Sequence, residues 1–195
     1  MNLVIVGMIF AILLFPASFA QGFEWNSLLI WEESQFISVA IISDFDIDDK
    51  TVQIIKEVIE SEKQDNHEFF GWNQALLFIS EKTNTNIPLL KLTDDIGEAS
   101  ITIELSKSEG PKNVDGFTQY KIIDKKINKA TVIIYDYDML KQEQLELVVR
   151  HELGHALGLG HTYNSLDLMF PALDSKYSLI SMFDLETLSE IYMKT

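Results

Sequence analysis

Residues 151–161, His-Glu-Leu-Gly-His-Ala-Leu-Gly-Leu-Gly-His, bring three imidazoles and a carboxylate into one short span. On an α-helix, positions four apart share a face, so His151 and His155 can present their rings to one metal ion with Glu152 beside them. A third ligand in helical step would fall at residue 158 or 159. Position 158 is Gly, which tolerates the left-handed backbone that ends a helix, so His161 can swing back toward the pair. Three neutral imidazoles and a fourth position open to water describe a catalytic zinc site rather than a closed structural one. Zinc lowers the pKa of such a water to about 7, a neighbouring carboxylate takes its proton, and the metal polarises a carbonyl, which is the chemistry of peptide hydrolysis. The competing explanation is an ordinary amphipathic helix with solvated or core-bonded histidines. The histidine pair with Glu152 is only suggestive alone, but Gly158 and His161 lower the chance of coincidence by roughly a thousandfold at typical residue frequencies.

With His151, Glu152, His155, Gly158 and His161 at every fixed position, the stretch resembles the zinc-binding consensus of the metzincin metalloproteases. Leu168-Met169-Phe170-Pro171 follows, and a methionine so soon after the third histidine, before an aromatic residue and a proline, resembles the matrixins. Astacin-like and serralysin-like proteases carry a tyrosine two residues after that methionine, where this chain has Pro171. The resemblance implies an α+β, zincin/metzincin-like fold, a mixed twisted sheet with packed helices that include an active-site helix and a C-terminal helix. It further implies His151, His155 and His161 as zinc ligands, Glu152 as the catalytic base, Met169 as support beneath the metal, and a protein or peptide as substrate. Residues 107–116, where vertebrate matrixins hold a second zinc through histidines, contain none here, so a single zinc is expected.

Those residues need a scaffold, and hydrophobic periodicity supplies its outline. Residues 35–43 are rich in β-branched side chains and suggest a first strand. Asp44, Asp46, Asp48 and Asp49 follow in a turn that either holds calcium through oxygen ligands or starts a helix. Residues 51–63 and 68–82 have helical spacing on either side of a polar interruption at 64–67, as one kinked helix or two. His67, in that interruption, is a poor ligand candidate. Residues 87–92 and 99–105 suggest strands paired across the turn at 94–97. Residues 117–123 and 130–135 suggest two more strands, separated by 124–129, and by resemblance the first lies at the edge beside the cleft, where a substrate peptide adds as a strand. Lys121 could equally blunt that edge. Residues 142–158 form the metal-bearing helix, with Leu145, Val149, Leu153 and Ala156 on the side away from the histidine pair. By the same resemblance to matrixins, residues 170–180 should wall the pocket that receives the residue just after the scissile bond. Ser181, with Asp184 three residues on, caps a closing helix over 182–192.

Residues 3–15 form an apolar run too short to span a bilayer comfortably, and Ser18-Phe19-Ala20 ends it in the manner of a signal-peptidase site, so residues 1–20 read as a signal peptide. No Lys or Arg precedes the run, which keeps an uncleaved membrane anchor facing outside as an alternative, with a buried strand as a third. Residues 21–195 suffice for a single catalytic domain. A net charge of −15 argues against nucleic acid or an anionic membrane as partner. The chain has no cysteine, which removes both a disulfide framework and latency through a propeptide cysteine on the zinc. Trp25 and Trp31 are expected as packing anchors. The sequence therefore describes a secreted zinc-dependent endopeptidase. Two other classes remain open: a zinc-binding secreted module without proteolysis, and a zinc hydrolase of a non-protein amide or ester.

Overall fold

The computed structural model describes residues 29–32, 34–111, 114–172 and 179–194. The expected signal at 1–20, Trp25 and most of the 170–180 wall lie outside the described residues. Among the described residues, no helix is long and apolar enough to cross a membrane.

The scaffold is a five-stranded sheet made of β1 (Phe36–Ser43), β4 (Leu89–Leu92), β5 (Ile101–Leu105), β6 (Gly116–Ile123) and β7 (Lys126–Ile134), in the order β4-β1-β5-β7-β6. All neighbours run parallel except β6, which is antiparallel to β7. The mixed sheet with packed helices agrees with the α+β expectation. In β5, Ile101, Ile103 and Leu105 are buried while Thr102 and Glu104 are half-exposed, the alternation of a strand whose faces differ. Each such side chain contributes about 1.5–3 kcal/mol on burial.

The expected pairing of β4 with β5 across 94–97 does not occur. Val39 of β1 pairs with Leu92 on one side and Ile101 on the other, so the chain crosses β1 between those two strands. Ser38 fastens that crossing, its Oγ donating to the Glu98 carbonyl at 3.0 Å and accepting from the Ser100 amide at 2.9 Å. β1 thus takes an interior place, with Val39 and Ala40 0% and 1% exposed.

The described residues form four helices, α1 (Asp49–Glu60), α2 (Trp72–Thr83), α3 (Gln142–Ala156) and α4 (Met182–Met193); α2 and α3 pack on the sheet, α1 against α2 and α3, and α4 against α2. Asp48 caps α1, accepting from the Thr51 amide at 2.8 Å and the Thr51 hydroxyl at 2.9 Å, so both of its carboxylate oxygens are engaged in the helix start. The 64–67 interruption resolves into two helices joined by a small hairpin, β2 (Gln64–Asp65) and β3 (Glu68–Phe69), whose turn residues Asn66 and His67 have φ of 46° and 67°. Similarly, 124–129 is not a long loop. β6 and β7 are joined through Asp124 and Lys125, both at positive φ, as a tight hairpin turn requires.

Ser181 caps α4 as expected: its Oγ accepts from the Asp184 amide at 3.2 Å, and the Asp184 carboxylate accepts from the Ser181 amide at 2.8 Å. Asp184 is buried, and burial, then the neighbouring Asp167 carboxyl, push its pKa up to about 8. A folded-state value above the unfolded one favours folding while the group is protonated, so the contribution fades as pH rises from about 4 to about 8. Asp184→Asn keeps the capping oxygen and removes the ionisation. Thermal unfolding between pH 5 and pH 8 should therefore fall less steeply with pH in this variant than in the parent (window about pH 4–8).

Candidate metal centre

Helix α3 carries the first two site histidines and lies against the β6 edge of the sheet. It starts at Lys141, whose amide donates to Gln144 Oε1 at 3.0 Å, and it is tied down along its length. Trp72 Nε1 donates to the Arg150 carbonyl at 3.0 Å, and Trp31 Nε1 to the Ala156 carbonyl at 2.9 Å. Leu145, Val149, Leu153 and Ala156 are buried as expected, but His151 and Glu152 are buried too, at 3% and 4% exposed. β6 and the Leu168 carbonyl close over His151 and Glu152, while His155 is half-buried and His161 is exposed, so the coordinating face stays open on one side.

After Ala156 the chain leaves the helix through Gly158, at φ 111°, a left-handed conformation that side chains disfavour. A Cβ there would also lie 2.4 Å from the Leu29 carbonyl oxygen. This turn brings His161 back over α3. Its Nε2 stands 3.1 Å from His155 Nε2 and 3.4 Å from His151 Nε2. The ligand atoms of His151, His155 and His161 all lie within 4.8 Å of one another, positioned to bind one metal ion.

Two carbonyls set the tautomers. His151 Nδ1 donates to the Leu168 carbonyl at 2.7 Å and His155 Nδ1 to the Leu159 carbonyl at 2.8 Å, which leaves each Nε2 as a bare lone pair aimed at the common point. Burial, then the neighbouring imidazoles, hold His151 well below the ordinary histidine value, and burial lowers His155. Partial desolvation, then the neighbouring His155, brings the exposed His161 down to about 4. All three are neutral at pH 7. Lone pairs facing one another this closely repel unless a cation lies between them. A tetrahedral zinc with Zn–N of about 2.0–2.1 Å would hold its nitrogens ~3.3 Å apart, so the donors fit zinc in chemistry and spacing.

Met169 follows the Leu168 carbonyl that holds His151 and is buried, its Sδ so near α3 that a Cβ on Gly154 would sit 2.5 Å from it. Glu152, one residue after His151, has its pKa raised to about 7 by burial, against the lowering effect of a hydrogen bond from Thr118. That bond, from Thr118 Oγ1 to Glu152 Oε2, is 2.6 Å long. Two residues along β6, the Tyr120 hydroxyl donates to the His155 carbonyl at 2.6 Å, and burial, then the charge of Glu152, keep that hydroxyl protonated. Sequence reasoning missed Gly116, Thr118 and Tyr120 as a set. Their two-residue spacing puts them on one face of an edge strand, the signal that would have grouped them. It also missed the Leu159 and Leu168 carbonyls, which no side-chain pattern reveals.

Two imidazoles one turn apart on a helix, a third returned by a left-handed glycine and a methionine packed against the same helix define a metzincin-type metal centre. The matrixin family model matches residues 78–193, and the chain belongs to the matrixin family, a family of zinc-dependent endopeptidases. No curated protein matches the chain.

Proposed function

We propose that the protein is a secreted endopeptidase that hydrolyses peptide bonds within proteins, using zinc held by His151, His155 and His161 and Glu152 as general base. The observation that carries the proposal is the convergence of the three Nε2 atoms, 3.1 and 3.4 Å apart, beside a buried carboxylate on the same helix. Bound zinc supplies a Lewis acid that polarises the scissile carbonyl and acidifies a water. The Leu168 and Leu159 carbonyls keep two of the ligating rings in register. Glu152 accepts a proton as the water oxygen bonds to the carbonyl carbon, then delivers it to the amine nitrogen as the C–N bond breaks. The substrate lies along β6, which ends the sheet and, among the described residues, has one edge unpaired by another strand, so that main-chain hydrogen bonds align the scissile bond with the metal. Residues 1–20 direct export and 21–195 form one catalytic domain.

Purified 21–195 with zinc should cut casein and quenched peptides at internal bonds, and a chelator should abolish the cutting. Hydrolysis confined to small esters or amides, with casein untouched, would contradict an endopeptidase.

A further inference from the structure

We infer that Thr118 is a positioning residue for Glu152, holding its carboxylate in one rotation through a hydrogen bond donated to Oε2; this inference rests on the role proposed above for Glu152. Thr118 Oγ1 lies 2.6 Å from Glu152 Oε2 and 3.1 Å from the Glu152 main-chain oxygen. A hydroxyl has one hydrogen and two lone pairs, so it cannot donate fully to both acceptors at once. The shorter contact falls in the range of a charge-assisted O–H···O⁻ bond, which assigns the hydrogen to Oε2 while Glu152 is a carboxylate.

The neighbouring strand position fits the same purpose. A Cβ at Gly116 would lie 2.7 Å from Glu152 Cγ and 2.8 Å from Oε1. Gly116 therefore leaves room for the carboxylate to lie against β6, while Thr118 fixes its rotation through Oε2. Because β6 is also the proposed substrate strand, the base and the scissile bond take their positions from one backbone.

The test uses zinc-loaded protein with Thr118→Val, which keeps the shape and removes the hydroxyl, and Thr118→Ser, which keeps the hydroxyl and removes the methyl. Thr118→Ala replaces the valine variant should that one not fold. Thr118→Val should lower kcat about ten- to a hundredfold, the range of a hydrogen bond to a charged group, with KM and zinc content little changed. Thr118→Ser should restore kcat to within about threefold, since the charged-group hydrogen bond is retained. The infrared carboxylate band that disappears in Glu152→Gln should shift in Thr118→Val and not in Thr118→Ser. In a Glu152→Gln background, Thr118→Val should cost nothing more. A valine variant with parental kcat and an unshifted band, or a serine variant as impaired as the valine one, would overturn the role of the hydroxyl while leaving Glu152 as base. Full activity in Glu152→Gln alone would overturn the Glu152 reading, and this inference with it.

Discussion

Replacing Glu152 with Gln should leave one zinc on the protein and lower peptide hydrolysis by about 10²–10⁴-fold, the range removed with a positioned general base. Glutamine has the same length, and its amide oxygen can still accept from Thr118 Oγ1, so the packing of β6 on α3 survives. None of the three imidazoles is touched. What is lost is a carboxyl that burial holds at about 7, close to the pH at which it must take up and release a proton. The decrease should therefore appear in kcat, with the melting temperature and zinc content near those of the parent. A glutamine variant with parental turnover would contradict the mechanism.

The second large effect is expected at Gly158, far in character from any reacting group. Gly158→Ala must accommodate a Cβ at φ 111°, which costs about 1–3 kcal/mol in backbone strain. The same Cβ would lie 2.4 Å from the Leu29 carbonyl oxygen, so the backbone at Leu29 must shift as well. Residues just past this turn supply the Leu159 carbonyl that orients His155 and the His161 ring itself. Loss of stability should accompany weaker zinc retention, measured by competition with a chromophoric chelator. Parental zinc affinity in this variant would show that the turn does not set the position of His161.

Much of the site was legible because its parts are close in sequence. His151, Glu152 and His155 follow helical spacing, and Gly158 marks where the helix must end for His161 to return. Thr118 was not legible: it lies on another element, and its contact with Glu152 depends on how β6 packs against α3, which no local pattern encodes. The fold divides in the same way. The amphipathic helices α1 and α2 and the capping box of α4 are local features and were anticipated, as were strand β5 and the packed Trp31. The position of β1 between β4 and β5 is a non-local choice, and adjacency in the chain pointed to the wrong partner. The β2–β3 hairpin escaped because Gln64 and Asp65 are polar and exposed, and two-residue strands have no alternation to detect. The Asp124-Lys125 turn escaped because neither residue is the glycine usually found at positive φ.

The most direct test of the central claim is the metal content of the purified 21–195 segment, measured on the parent and on His151→Ala, His155→Ala and His161→Ala. One zinc per parent chain, lost or sharply weakened in each variant, is the expected result. A folded parent without zinc, or zinc retained unchanged when any of these imidazoles is removed, would contradict it.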